Sequence, residues 1–206
     1  MQPDATAPEG VPVVGSAGPG GAPSLARRFA ALIIDFLVLA LPCGALAAVF
    51  MIFVVLPHLR HHTGGHVGRG SAERYLFRDY FPELGAVQLL QASLVCAYFT
   101  LAHWLFGRTV GKRAFGLKVV NSQGGRMGFG SSLVRAAAFA YTPMLGSLGF
   151  ISFAFFSTSV AAVLFMAFGV AGFAWLAGEI ISVAADGRKR RSLHDRIVAS
   201  QVVAAA

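Results

Sequence analysis

Arg28, Asp35, His103, Arg135 and Glu179 are ionisable side chains set in stretches that otherwise read as hydrocarbon. Arg28 and Asp35 stand seven residues apart, two helical turns, so a helix shows both on one face. A carboxylate facing lipid costs about 2.5–3.5 kcal/mol at the bilayer centre and less toward either surface, so these groups are expected to turn inward and meet. Two chemistries follow. In the structural one, Asp35 pairs with Arg28 or Arg135, and Glu179 with Arg135, His103 or Ser182, and the pairs pin helices together. In the functional one, Asp35 and Glu179 bind protons or small monovalent cations with His103 as a relay, since intramembrane carboxylates mark ion paths. Two acids are present where one would serve as a pin, which favours a site. Only four spans are available, so a transport path calls for a homo-oligomer.

The elements that must position these groups are membrane helices. Of the 206 residues, 56% are apolar and 13% charged, and the mean hydropathy is +0.66. A soluble domain of this length carries nearly twice that charged fraction. Residues 1–26 are rich in Pro, Gly and Ala and read as a disordered cytoplasmic tail. Apolar runs predict spans over about 29–56, 87–106, 133–156 and 160–185, the last two divided near Ser157. Ala45-Leu46-Ala47 resembles a signal-peptide cleavage site, but the apolar run continues beyond it, which predicts an uncleaved helix. Ser93, Cys96, Thr100 and His103 recur on one face of the second span, and Ala167, Ala171, Ala174 and Gly178 form a small-residue stripe on the fourth, suited to close helix approach. With both termini cytoplasmic, thirteen Lys and Arg fall inside and four outside, which fixes the orientation by the positive-inside rule. The chain is thus expected to be an all-α multi-pass membrane protein with a small cytoplasmic β element.

That β element is expected from Leu117–Val120 and Arg126–Phe129, a hairpin around the turn residues 121–125, with Ile197–Val203 as a third strand. It brings Asp195 near Lys112, Arg113 or Arg28 as a clamp between tail and bundle. The basic loops, including the run 188–191, are expected to meet anionic headgroups of the bilayer. GRTVGKR, 107–113, has three residues between its glycines instead of four and Arg113 where a phosphate loop needs Ser or Thr, so it is not one. His58, His61, His62 and His66 are of a type that binds zinc, copper or nickel, yet no cysteine joins them and the loop is Gly-rich. His194-Asp195 lacks the partners a metal site needs. Cys43 and Cys96 read as small buried hydrophobes. No Ser-His-Asp or Cys-His arrangement stands out and no basic face is laced with aromatics, so neither an enzyme nor nucleic-acid binding is expected, and no cofactor or metal.

Three segments, ARRFAALIIDFLVL, GRTVGKRAFGLKVVNSQGGRMGFGSSLVRA and DGRKRRSLHDRIVASQVV, resemble in this order the hallmark blocks of the RDD family of bacterial membrane proteins. The resemblance covers residues 25–203. It implies that Arg28 and Asp35 match the family's arginine and first aspartate and Asp195 its second, with Ala199-Ser200-Gln201 standing where the family more usually has Ala-Gly-Thr. It also implies an association with transport, including cation/proton antiport. The alternative is a non-transporting scaffold that binds a partner, its intramembrane charges serving as pins.

Overall fold

The apolar run that opens at Leu25 forms α1, Leu25–Phe50, in a computed structural model that describes residues 23–57, 76–185 and 192–205. Ser24 caps it by accepting from the Arg27 amide, and a wide π-type turn over Met51–Val55 carries the span further. The second span, α2, runs Phe81–Phe106. It starts ahead of the predicted Val87, because a π-type turn over Leu76–Tyr80 runs into it without a break, Tyr80 already having helical backbone angles. Gly107, at φ 66°, ends it in a left-handed cap. A short α3, Val110–Ala114, follows, and then β1, Leu117–Asn121. The third and fourth spans are α4, Phe129–Phe155, and α5, Thr158–Ala185, parted at Phe156–Ser157. The tail forms α6, Leu193–Ile197, and β2, Ser200–Ala204. Among the described residues, four helices are long and apolar enough to cross a membrane. The 1–22 part of the leading segment, His58, His61, His62 and His66, and the basic run 188–191 lie outside the described residues.

The predicted hairpin does not form. β1 pairs antiparallel with β2 directly, Leu117 opposite Ala204 and Asn121 opposite Ser200. The Asn121 side chain accepts from the Gln123 and Gly125 amides, at 3.0 and 2.8 Å, and closes the turn on itself. Residues 126–128 then lead straight into α4, with Gly128 as its N-cap. The arm that was to pair offers no β-branched residue, whereas the tail offers Val202 and Val203. Under the sheet, Ala31, Leu117, Val119, Met127 and Val202 make one apolar cluster.

Within the bundle, α4 lies between α2 and α5, while α1 is held mainly by α3 and more lightly by α2. Gly111 allows that contact: a Cβ there would run into the Ala31 carbonyl oxygen. The small-residue stripe is not the packing face of α5. Ala167, Ala171 and Ala174 are exposed, and α5 meets α4 through Ala161, Phe165 and Gly172. The bulky Phe165 and Trp175 bring contact area and a hydrogen bond to the Ala138 carbonyl that the small stripe lacks.

Candidate functional site

Asp35 is 1% exposed, and its carboxylate is filled by neutral donors. Oδ1 accepts from the Tyr98 hydroxyl at 2.7 Å and the Gly111 amide at 2.8 Å, and Oδ2 from the Thr109 hydroxyl at 2.6 Å. Neither Arg28 nor Arg135, the partners expected from the sequence, is among them. The local reason is α3: Thr109 is its N-cap and Gly111 lies in its first turn, so donors converge where the backbone amides are unsatisfied. One carboxylate thereby joins α1 to α2 and α3.

Arg135, on α4, turns to the tail. It is ion-paired to Asp195 and donates to the Ser200 hydroxyl at 2.5 Å. Asp195 also closes a capping box with Ser192, accepting from its amide at 3.3 Å. Burial by itself would raise the Asp195 carboxyl, but the charge of Arg135, helped by His194, the Ser192 amide and Lys112, outweighs it and holds the group at about 2. Glu179, on α5, accepts from the His194 amide at 3.0 Å, with the imidazole Nδ1 2.9 Å from its other oxygen. Ser182 donates only to the Glu179 backbone carbonyl. Arg28 donates to the Val202 carbonyl of β2 at 3.3 Å. The tail is therefore fastened to the first, third and fourth spans by different side chains.

Lys112 stands apart. Its Nζ lies 2.8 Å from His103 Nε2, and it has no carboxylate partner among the described residues. His103 is 2% exposed, and its Nδ1 has no hydrogen-bond partner among the described residues. Burial, and then Arg135, push the Lys112 ammonium down to about 7, against the opposing pull of Asp35 and Asp195.

All five span-borne groups, Arg28, Asp35, His103, Arg135 and Glu179, line one cavity of about 460 Å³, together with Lys112, His194 and Asp195. The remaining wall is mostly apolar. Arg113 is exposed and takes no part. Of the polar face expected on α2, Cys96, Thr100 and His103 are buried, whereas Ser93 is exposed and bonds its own helix at Leu89. Among the described residues, no three His, Cys, Asp or Glu side chains are placed to share a metal ion. Sequence reasoning missed Tyr98, Thr109, Ser192, His194 and Ser200 as partners. His194 had a signal, since the adjacent His-Asp pair was visible. Tyr98 had none, because a tyrosine near a membrane surface is ordinary.

Compared with known families, the chain matches the RDD family over residues 22–199. No curated protein and no solved structure matches it. The family match spans most of the chain and takes in Arg28, Asp35, Asp195 and all four membrane-length helices, so the chain belongs to the RDD family and is a multi-pass membrane protein.

Proposed function

We propose that this chain is a transport protein, or the membrane subunit of one, that moves protons or small monovalent cations, with the cavity as its exchange site. The observation that carries the reading is convergence: ionisable groups from all four spans, α3 and the tail surround a single cavity. Within it, Asp35 has both oxygens occupied by neutral donors, so its role is positioning. The exchanging pair is Lys112 with His103, a cation set against an imidazole, which can give up its proton without stranding a counter-charge. The basic excess of the loops and tail supports placing this end in the cytoplasm of a bacterial cell, with both termini inside. The cavity sits at one end of the bundle, so the path to the other face would run between copies of a homo-oligomer.

The test is collapse of a preset pH gradient in proteoliposomes, driven by lithium, sodium or potassium. Wild type would be compared with Lys112→Met and Glu179→Gln, each first shown to melt cooperatively. Flux that disappears in folded Lys112→Met supports the reading. Flux no greater than in protein-free liposomes with all three cations overturns it. A scaffold is the second reading, favoured by the full occupancy of the acids: Asp35 by three donors, Asp195 by Arg135, Glu179 by His194. In that case the same groups hold the tail in place for a partner protein.

A further inference from the structure

The cavity has an apolar side as well as a charged one. Phe29 and Leu32 of α1 line it from one flank, and Ile180 and Val183 of α5 from the other. These two spans make little contact with each other, so the space between them is a slot on the lateral surface of the bundle. Phe29 and Ile180 are both exposed beside it, as residues that meet lipid would be. The slot lies within the first turns of α1 and the last turns of α5, at the depth where a bilayer keeps its headgroups. Lys112 lines the same cavity.

The charges in the cavity are unevenly engaged. Asp35, Asp195 and Glu179 each already hold close donors, so an incoming cation would have to displace them. Among the described residues Lys112 Nζ meets the His103 imidazole and lies 6.0 Å from the centre of the Phe99 ring, with no carboxylate beside it, so its remaining N–H groups can donate to a new anion. A cation on the wall of a cavity whose flanks are apolar and exposed complements a molecule with an anionic head and a hydrocarbon chain. The chain covers the apolar walls, and the head forms a charge-assisted hydrogen bond with the ammonium. We infer that the cavity binds one anionic amphiphile drawn from the bilayer, its head on Lys112 and its chain between α1 and α5. A volume of about 460 Å³ suits the head and the first part of a chain, within the ~300–1,000 Å³ of small-molecule sites, with the rest left in lipid. The inference goes beyond ion movement and stands whether or not ions cross.

Binding without any gradient tests it and separates it from the transport reading. The full chain in a non-ionic detergent is titrated with decyl phosphate, with decyltrimethylammonium as the cationic counterpart and inorganic phosphate as the head alone. Native mass spectrometry and melting temperature are the readouts. Decyl phosphate is expected to bind one per chain, and about tenfold or more weakly to Lys112→Met, the order for losing a hydrogen bond to a charged group. Lys112→Arg should retain it. Val183→Trp, which fills the slot and leaves Lys112 in place, should weaken decyl phosphate as well. In nanodiscs, phosphatidylglycerol should be retained over phosphatidylcholine. Inorganic phosphate binding as tightly as decyl phosphate would assign the site to a free anion and overturn the inference. So would decyltrimethylammonium binding as well as decyl phosphate, or unchanged binding in folded Lys112→Met.

Discussion

Both oxygens of Asp35 are taken, by Tyr98 and Gly111 on one and Thr109 on the other. In Asp35→Asn, one acceptor becomes an NH2 group that faces a donor, and the expected loss is about 1–3 kcal/mol of stability, read as a lower melting temperature in detergent. Tyr98→Phe removes the bond to Asp35 and the one its hydroxyl accepts from the Val110 amide at 3.2 Å, but leaves the carboxylate its other two donors, so its cost should be about 1–2 kcal/mol, no more than that of Asp35→Asn. Equal effects would mean that the hydroxyl is the main anchor. Lys112 gives a pH signature. It stays protonated to about 10.5 in the unfolded chain but only to about 7 when folded, so the folded form binds fewer protons between those limits. Stability should therefore rise with pH across that window, and Lys112→Met should flatten the rise in a series of melting curves. Ala199 sits at φ 49°, a left-handed backbone that costs a side-chain-bearing residue about 1–2 kcal/mol. Ala199→Gly is expected to recover about 1 kcal/mol of that and to raise the melting temperature. The seam residues were legible because a charge in hydrocarbon is conspicuous. Their partners were not, since Asp35 is satisfied by hydroxyls and an amide that carry no sign to be matched.

At the scale of elements, the tail is the part least foreseen. Ile197–Val203 suggested a strand, which forms as β2, but the neighbour expected for β1 was Arg126–Phe129, because the turn at 121–125 looked like the middle of a hairpin when it is the approach to α4. What decided the matter was the continuation: Met127 is buried under the sheet, and Gly128 begins a helix. The small stripe on α5 was misjudged for a related reason, since spacing defines a face without saying which way it turns. β2 supplies Ser200 to Arg135 and the Val202 carbonyl to Arg28, and it covers Leu117 and Val119. Ending the chain after Val198 should therefore expose the 117–121 backbone. Amide exchange there is expected to quicken markedly, while the core of α2 and α4 stays protected. Unchanged protection of 117–121 would show that β1 is held by the helices alone.

For the whole molecule, four apolar runs and their charge bias were enough to give the architecture, because a bilayer admits few alternatives to a helix whose backbone bonds are internal. The same bias predicts sidedness. A cysteine placed at the exposed Gln123, with Cys43 and Cys96 replaced by Ala, should react with a membrane-impermeant maleimide in inside-out vesicles and not in intact cells. The reverse result would invert the bundle and move the cavity to the outer leaflet. The attachment of α1 has a consequence of another kind. This first span leans on α3 and is tied through Arg28 to a strand that follows all four spans in the chain. During synthesis α1 reaches the bilayer first, yet it cannot acquire its full set of neighbours until the ribosome has delivered β2. A nascent chain stalled after α5 would be fully inserted and still unfinished, with the 107–121 segment open to chaperones and proteases. On these contacts, insertion and completion of the fold would be separate events, the second waiting on β2.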